Sequence, residues 1–186
     1  MTKRLLFIVS VVLLATVSFA QDKFFTKTGY ISFYSKATAE EINAKNKTVT
    51  TVLDAKSGAL QFAVIMKGFE FEKSLMQQHF NENYVESDKY PKGDFKGVIV
   101  NNKDINYAKD GTYPAKAKGK LTIHGVTKDV QTNGTIKVAG GKIELVSSFD
   151  ILLADYKITI PALVKDKIAS SVKVSVECKL DPFKKP

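Results

Sequence analysis

Few residues in this chain could do chemistry. In 186 residues it has one cysteine (Cys178), two histidines (His79 and His124) and no tryptophan. A single cysteine excludes a disulfide framework within the chain and any multi-cysteine zinc or iron–sulfur site. Two histidines are too few for a histidine-rich catalytic metal centre. Because no Gly-rich phosphate loop, nucleophile elbow or His-Glu-x-x-His motif occurs either, we predict no catalytic residues, no metal and no cofactor.

Structural roles are the interpretation that we favour for these three residues. Cys178 lies among alternating valines, which predicts a buried, inert thiol in preference to a nucleophile. His79 falls on one arc of a predicted helix, where a hydrogen-bonded packing role is favoured over that of a ligand or base. His124 precedes Gly125 at an apparent turn, so its ring is expected to hold the loop together.

Acidic residues cluster after the predicted helix, at Glu82, Glu86, Asp88 and Asp94. Calcium prefers carboxylate oxygens, but its binding loops space them more closely and place a glycine at the sharp turn. The spacing in this chain therefore does not favour a metal site.

The first twenty residues have the layout of a secretory signal peptide. Lys3 and Arg4 supply a positive start, an apolar run extends from Leu5 to Val17, and the small residues Ser18 and Ala20 occupy positions −3 and −1 of a cleavage site. The run is shorter than the ~20 residues that a membrane-spanning helix needs. We therefore expect 1–20 to be a cleaved signal peptide and 21–186 to form a single domain that is periplasmic or secreted.

The mature chain would be basic without any arginine. Removing Lys3 and Arg4 leaves 26 cations against 19 acids, a net charge of +7, and all of these cations are lysine. Arginine is the usual residue for bidentate recognition of guanine and phosphate, so we expect no nucleic-acid partner. We interpret the scattered lysines as a soluble surface; the alternative is peripheral contact with an anionic membrane surface.

The mature sequence has the patterning of an antiparallel β protein. Alternating apolar residues and intervening turn residues predict strands at 30–35, 48–53, 59–66, 94–100, 115–124, 127–138, 142–149 and 171–180. The last strand is the clearest, since one face carries Val172, Val174, Val176, Cys178 and Leu180. Eight half-apolar strands in one domain favour a closed barrel, because closure removes exposed edges.

Two stretches have helical features. Thr38 to Glu41 has the spacing of a capping box and predicts a short helix through Ala44. Within 69–90, one helical arc at about 100° per residue contains Phe71, Leu75, Met76, His79 and Phe80. We therefore predict a mainly all-β fold, an eight-stranded antiparallel barrel with one amphipathic helix between strands. The interior of such a barrel is just wide enough for side chains or one ligand.

Three stretches of the chain resemble the YceI-like family. They are His79–Tyr84 with Glu86–Phe95, then Leu121–Lys128, and finally Asp155–Pro161. The sequence Leu-Thr-Ile-His-Gly-Val-Thr-Lys at Leu121–Lys128 is closely similar to a family element, and the Tyr90-Pro91 match alone would be weak. The resemblance implies a lipocalin-like antiparallel barrel that binds polyisoprenoid or other long lipids, in exported bacterial proteins.

We therefore favour an exported binding protein that holds a long apolar molecule, a polyisoprenoid or another lipid, inside its barrel, as a periplasmic lipid carrier or a stress-related protein. A buried methylene contributes about 0.8 kcal/mol while association costs about 4–15 kcal/mol, so a useful ligand has a long chain. The alternating strand faces and the helix arc predict the cavity lining, which comprises Phe62, Val64, Phe71, Leu75, Met76, Phe80, Phe95, Leu121, Ile123, Phe149, Val174 and Val176.

Two other classes of function stay open from the sequence. One is a non-catalytic structural or interaction module whose barrel is filled by side chains and holds no ligand. The other, less favoured, is an enzyme acting on a lipid, for which the sequence offers no visible nucleophile–base pair. Lipid that co-purifies with the protein would separate the first alternative from a binding protein.

Export predicts a defined mature N-terminus. Because the small residues Ser18 and Ala20 precede the expected cleavage site, we expect the protein isolated from the cell envelope to begin at Gln21. Intact-mass measurement checks this, with an Ala20→Phe variant as the control that should keep its leader. A wild-type mass that still includes residues 1–20 would contradict the prediction.

Overall fold

The computed structural model describes residues 22–183, in which nine strands and one helix form. The strands are β1 (Lys23–Lys36), β2 (Glu41–Asp54), β3 (Ala59–Ile65), β4 (Glu70–Phe71), β5 (Lys92–Ile99), β6 (Gly111–Ile123), β7 (Val126–Ala139), β8 (Lys142–Leu152) and β9 (Ser171–Pro182). The helix α1 (Ser74–His79) continues as a π-turn over Phe80–Tyr84. The predicted signal peptide at 1–20 lies outside the described residues.

Eight of the strands close into an antiparallel barrel, as predicted. Their order is β1-β9-β8-β7-β6-β5-β3-β2, and β2 pairs with β1 to complete the circle. The two-residue strand β4 adds to the edge of β2. Within residues 22–183, no helix is long and apolar enough to cross a membrane.

Two tight turns fix the register of the strands that follow the helix. His124 and Gly125 have φ angles of 51° and 70° and join β6 to β7, while Gly140 and Gly141, with φ of 57° and 74°, join β7 to β8. In a two-residue hairpin turn, positive φ at both central residues gives the turn a twist that matches the right-handed twist of the two strands it joins. Inward and outward faces of β6, β7 and β8 are therefore set by these four residues.

The predicted helix from Thr38 to Ala44 is wrong, because this stretch leads into β2. Ala44 is buried and pairs with Phe33 of β1 and Phe71 of β4, which a helix would prevent. Tertiary pairing on both edges outweighs the local capping signal. Both β1 and β2 are consequently 14 residues long, well beyond the predicted 30–35 and 48–53.

One end of the barrel is filled by side chains. Leu53, Ile136, Ile143 and Leu180 are among its fully buried residues. The loop after β5 covers this closed end, where Tyr107 stacks on Phe24 with ring centroids 6.4 Å apart and its hydroxyl donates to Asn102 Oδ1 at 2.7 Å. Burial raises the pKa of Tyr107 to about 12, so the phenol stays a neutral donor.

Cys178 lies in this packed half, which confirms the predicted burial. Its side chain is 0% exposed, and Sγ accepts a hydrogen bond from Thr51 Oγ1 at 3.4 Å. A Cβ atom on Gly29 of β1 would lie 2.6 Å from this sulfur, so only glycine fits at that position. Burial raises the pKa of the thiol, which keeps the reactive thiolate scarce.

We predict that a polar thiol reagent labels Cys178 slowly in the native protein and rapidly after denaturation. The raised pKa and the packed surroundings both oppose reaction. Mass spectrometry of a labelling time course measures the rate, and a Lys137→Cys variant on the outer face of β7 supplies a fast control. Equal native rates at the two cysteines would refute this assignment.

Candidate functional site

A cavity of about 570 Å³ occupies the half of the barrel next to α1. Its volume lies within the range of small-molecule sites, about 300–1,000 Å³. All twelve residues predicted to line it do border it: Phe62 and Val64 of β3, Phe71 of β4, Leu75 and Met76 of α1, Phe80 of the π-turn, Phe95 of β5, Leu121 and Ile123 of β6, Phe149 of β8, and Val174 and Val176 of β9. Their contact with a ligand stays a prediction.

Small residues on one wall help to explain why this half is hollow. Gly93 of β5 and Ala115 and Ala117 of β6 border the cavity. Gly134 of β7 borders it too, but a Cβ atom there would lie 2.3 Å from the backbone oxygen of Val146, so that position is glycine because of the close approach of β8. The alternation of inward residues is the same along each strand, so side-chain size accounts for the change from core to cavity.

Four phenylalanine rings fasten the helical segment to the barrel. Phe33, Phe69, Phe71 and Phe80 pack with centroid separations of 5.1–5.8 Å, and Phe80 contacts the other three. Phe71 and Phe80 were predicted as lining residues, whereas Phe33 and Phe69 were not. The alternation of Ile31, Phe33 and Ser35 within the predicted first strand is the signal that could have identified Phe33.

The helical arc places some of its members wrongly. Phe71 lies in β4 instead of the helix, Leu75 is 60% exposed, and His79 is exposed and not a packing residue. The helix gives way to a π-turn closed by Val85 N donating to Phe80 O, which changes the angular spacing after His79. A uniform step of about 100° therefore does not describe this segment.

The end of the cavity beside α1, here called the mouth, has a mixed rim. Leu75 and Val164 border it, and so do Glu40, Lys73 and Lys167. The Lys73 ammonium lies 2.8 Å from Glu40 Oε1, and this hydrogen bond raises the pKa of Lys73. An apolar interior with a charged rim suits a molecule that is mainly hydrophobic.

His124 joins three separate segments, which confirms its predicted role in holding a loop. Its Nδ1 lies 3.0 Å from Tyr156 O, and its Nε2 lies 2.6 Å from Glu86 Oε2. The ring therefore bridges a backbone carbonyl and a carboxylate from two separate segments. The ring of Tyr90 packs against the imidazole in a T-shaped arrangement, 4.7 Å between centroids.

Glu86 and His124 have left-handed backbone conformations, with φ of 44° and 51°. Such conformations are unfavourable for residues other than glycine, so the hydrogen bond between the two side chains offsets strain at both positions. That hydrogen bond also lowers the pKa of Glu86. Across residues 22–183, no three His, Cys, Asp or Glu residues are arranged to hold a metal ion.

Comparison with known proteins agrees with this geometry. A family model described as the YceI-like domain matches residues 15–180. The chain is similar to a polyisoprenoid-binding domain from Saccharophagus degradans, with a TM-score of 0.77 and 14% identity over 88% of this chain and 99% of that one. No curated protein sequence matches the chain.

Two further solved structures are similar. Burkholderia cenocepacia BcnA has a TM-score of 0.65 and 17% identity over 82% of this chain and 95% of its own. The Campylobacter jejuni YceI protein has a TM-score of 0.54 and 18% identity over the whole of both chains. At these identities the structural likeness shows the fold alone.

The contact between Glu86 and His124 predicts a pH-dependent effect of Glu86→Gln on stability. Because the folded pKa of Glu86 is lowered from 4.5, its contribution is present above that value and is lost as the pH falls through the lowered pKa. We expect the variant to be less stable than wild type at pH 7, with a difference that shrinks in acid. Urea unfolding at several pH values measures it.

Glu82→Gln is the matched control for this prediction. The Glu82 carboxylate is exposed and accepts hydrogen bonds from Gln78 Nε2, so its removal should change stability little at any pH. A difference between wild type and Glu86→Gln that stays constant from neutral pH into acid would refute the prediction.

Proposed function

The chain belongs to the YceI-like domain family, and from that premise we propose that it is an exported, non-catalytic binding protein, a periplasmic lipid carrier. It holds a long apolar molecule, a polyisoprenoid or another lipid, inside the barrel. The observation that carries this proposal is the 570 Å³ cavity with an apolar lining. The polyisoprenoid-binding domain of Saccharophagus degradans, which shares the fold, supports the choice of ligand class.

The cavity also supports this proposal over its main alternative. A structural module with a side-chain-filled barrel would bury its inward residues against one another over the full length of the strands. Only the closed end does so, around Leu53 and Leu180. Phe62 and Phe95 meet edge to face at 6.1 Å, yet both stay partly accessible from the cavity.

A long chain is the ligand that this interior would hold well. Burial of apolar surface stabilises a complex by about 25 cal/mol for each Å², and directional polar groups are scarce in the lining. Strength of binding would therefore grow with the number of buried methylene or isoprene carbons. Organic extraction of protein purified from its own cell envelope, followed by mass spectrometry, identifies such a ligand directly.

Phe62→Ala tests whether the barrel is a container. In a filled core, this change costs about 3–5 kcal/mol. We expect a smaller loss in the empty protein, because Phe62 already borders open space. We also expect weaker stabilisation by ligand, since contact with the bound chain is lost. Unfolding curves of both proteins, with and without the extracted lipid, measure both quantities.

Phe25→Ala is the matched control on the outer side of β1. Its ring packs edge to face with Phe183, 6.2 Å between centroids, and does not border the cavity among the described residues. Lipid at a hundred times its Kd should stabilise wild type and Phe25→Ala by about 2.7 kcal/mol, and Phe62→Ala by less. A wild type that lipid does not stabilise, with the full core loss for Phe62→Ala, would support the filled module instead.

A further inference from the structure

The strands β7 and β8 are hydrogen-bonded along only part of their length. Their ladder runs from the pair Ala139–Lys142 to the pair Gly134–Ser147 and stops there. Among the described residues, 126–133 of β7 pair only with β6, and 148–152 of β8 pair only with β9. These two unpaired stretches face each other across a split in the barrel wall, here called the seam.

Side chains and one connecting segment hold the seam together. At its base, Thr132 Oγ1 and Ser147 Oγ are 3.0 Å apart, and the Ser147 hydroxyl also donates to Asn133 O at 2.8 Å. Farther along, the segment after β8 packs near β7, and Tyr156 O contacts His124 at the β6–β7 turn. Opening the seam would break these contacts, but it would not break any backbone ladder between β7 and β8.

A second split, between β2 and β3, is closed more firmly. Backbone pairing of β4 with β2 bridges it at Phe71 and Glu70, and Asn46 Nδ2 donates to Ile65 O at 2.9 Å. The aromatic cluster around Phe80 also covers this side. The seam has no such backbone bridge and is covered instead by the segment that contains the buried Tyr156, so it is the easier of the two splits to open.

The cavity reaches the seam from inside, and a groove lies against it outside. Val130, Thr132 and Phe149 border the cavity at the seam. The groove is bordered by Tyr30, Asn133, Gly134, Thr135, Val146, Ser147, Ser148, Ser175, Val176 and Glu177. Five of these residues also border the cavity: Gly134, Thr135, Val146, Ser147 and Val176. Cavity and groove are thus separated by a wall one strand thick.

The chemistry of the groove differs from that of the cavity. Six of the ten residues that border the groove carry a hydroxyl or a side-chain amide, Tyr30 among them, and Glu177 contributes a carboxylate. None of the described residues that border the groove is a cation; Lys179 Nζ lies 3.7 Å from Glu177 but outside the border. Such a surface favours a neutral hydroxyl group over an anionic one.

Building on the proposed function, we propose that the ligand is an amphiphile with an uncharged, hydroxyl-bearing head. Its tail enters the cavity sideways through the seam, and its head stays in the outer groove. The free energy for opening this part of the wall is low because side-chain contacts replace the ladder. The mouth beside α1 is the competing route, and the experiment below decides between the two.

A disulfide across the seam tests the route. The double variant Thr132→Cys/Ser147→Cys places two thiols where the native hydroxyls are 3.0 Å apart. Lys137→Cys/Glu144→Cys joins the same strands at a pair that is already in the ladder. The probe is retinol, an isoprenoid alcohol whose fluorescence rises in apolar surroundings. Stopped-flow mixing measures its association rate before and after oxidation.

Oxidation of the seam variant should slow retinol association by about tenfold or more, and reduction should restore it, because the tail needs the strands to part. Oxidation of the ladder variant should change nothing. Equal rates for the oxidised and reduced seam variant would show access through the mouth and overturn the route. Slowing in both variants would indicate general rigidity and overturn it too. If wild type does not bind retinol at all, the proposed function itself fails.

Charge reversal in the groove tests the position of the head. Glu177→Lys should shift the ratio of affinities from retinol toward cis-parinaric acid, a fluorescent long-chain carboxylic acid, by about tenfold. Asp129→Lys makes the same change in net charge beside Lys120, away from the groove. An equal shift in both variants would reflect overall charge, and no shift in either would place the head elsewhere. Either result overturns the outer head site.

Discussion

The barrel depends on the pairing of β1 along both of its edges. One edge pairs with β2 between Lys23 and Lys36, and the other pairs with β9 between Phe24 and Tyr34. This closure removes the two free edges that an eight-stranded sheet would otherwise expose. It also separates an interior from solvent. Because side chains alternate along each strand, every second residue then points into the barrel and the others point outward. Cavity, core and outer groove are all consequences of that arrangement.

The same alternation produces a packed end and a hollow end, because the inward side chains differ in size. At the packed end, branched residues meet across the barrel, and an irregularity in β1 brings Gly29 against Cys178. At the hollow end, Gly93, Ala115 and Ala117 leave room that the larger rings of the opposite wall do not fill. A cavity of this kind stays open because the surrounding ladder cannot collapse without losing backbone hydrogen bonds.

Connections between strands complete the site in two different ways. The segment after β3 fills the split between β2 and β3 with a backbone bridge and a cluster of aromatic rings. The segment after β8 packs near β7 without a backbone ladder, and Tyr156 O contacts His124, which is itself tied to Glu86. Binding proteins need one part of the wall that opens more easily than the rest. The unequal strength of these two closures gives the seam that property.

Much of this protein could be determined from the sequence alone. Apolar and polar residues alternate over eight short segments with glycine turns between them. This pattern was sufficient to predict an antiparallel barrel, because the alternation is visible within each segment. For the same reason the eight cavity-bordering residues on the barrel strands and the burial of Cys178 were predictable: each follows from its own strand. Leu121–Lys128 was sufficient to indicate the family, and His124 was identified as a turn residue by the glycine that follows it.

Only the tertiary structure decided the features that require distant residues to meet. Thr38–Ala44 forms no helix because Ala44 pairs with Phe33 and Phe71, and Leu75 and His79 of α1 are exposed instead of packed. Whether the inward residues fill the barrel depends on the total volume of the side chains that meet across its diameter. Those side chains come from strands far apart in sequence, so the pattern within one strand does not give that total. The contact of Glu86 with His124 and the end of the β7–β8 ladder join residues far apart in sequence. Their geometry is set by where the strands twist apart, which no single segment encodes.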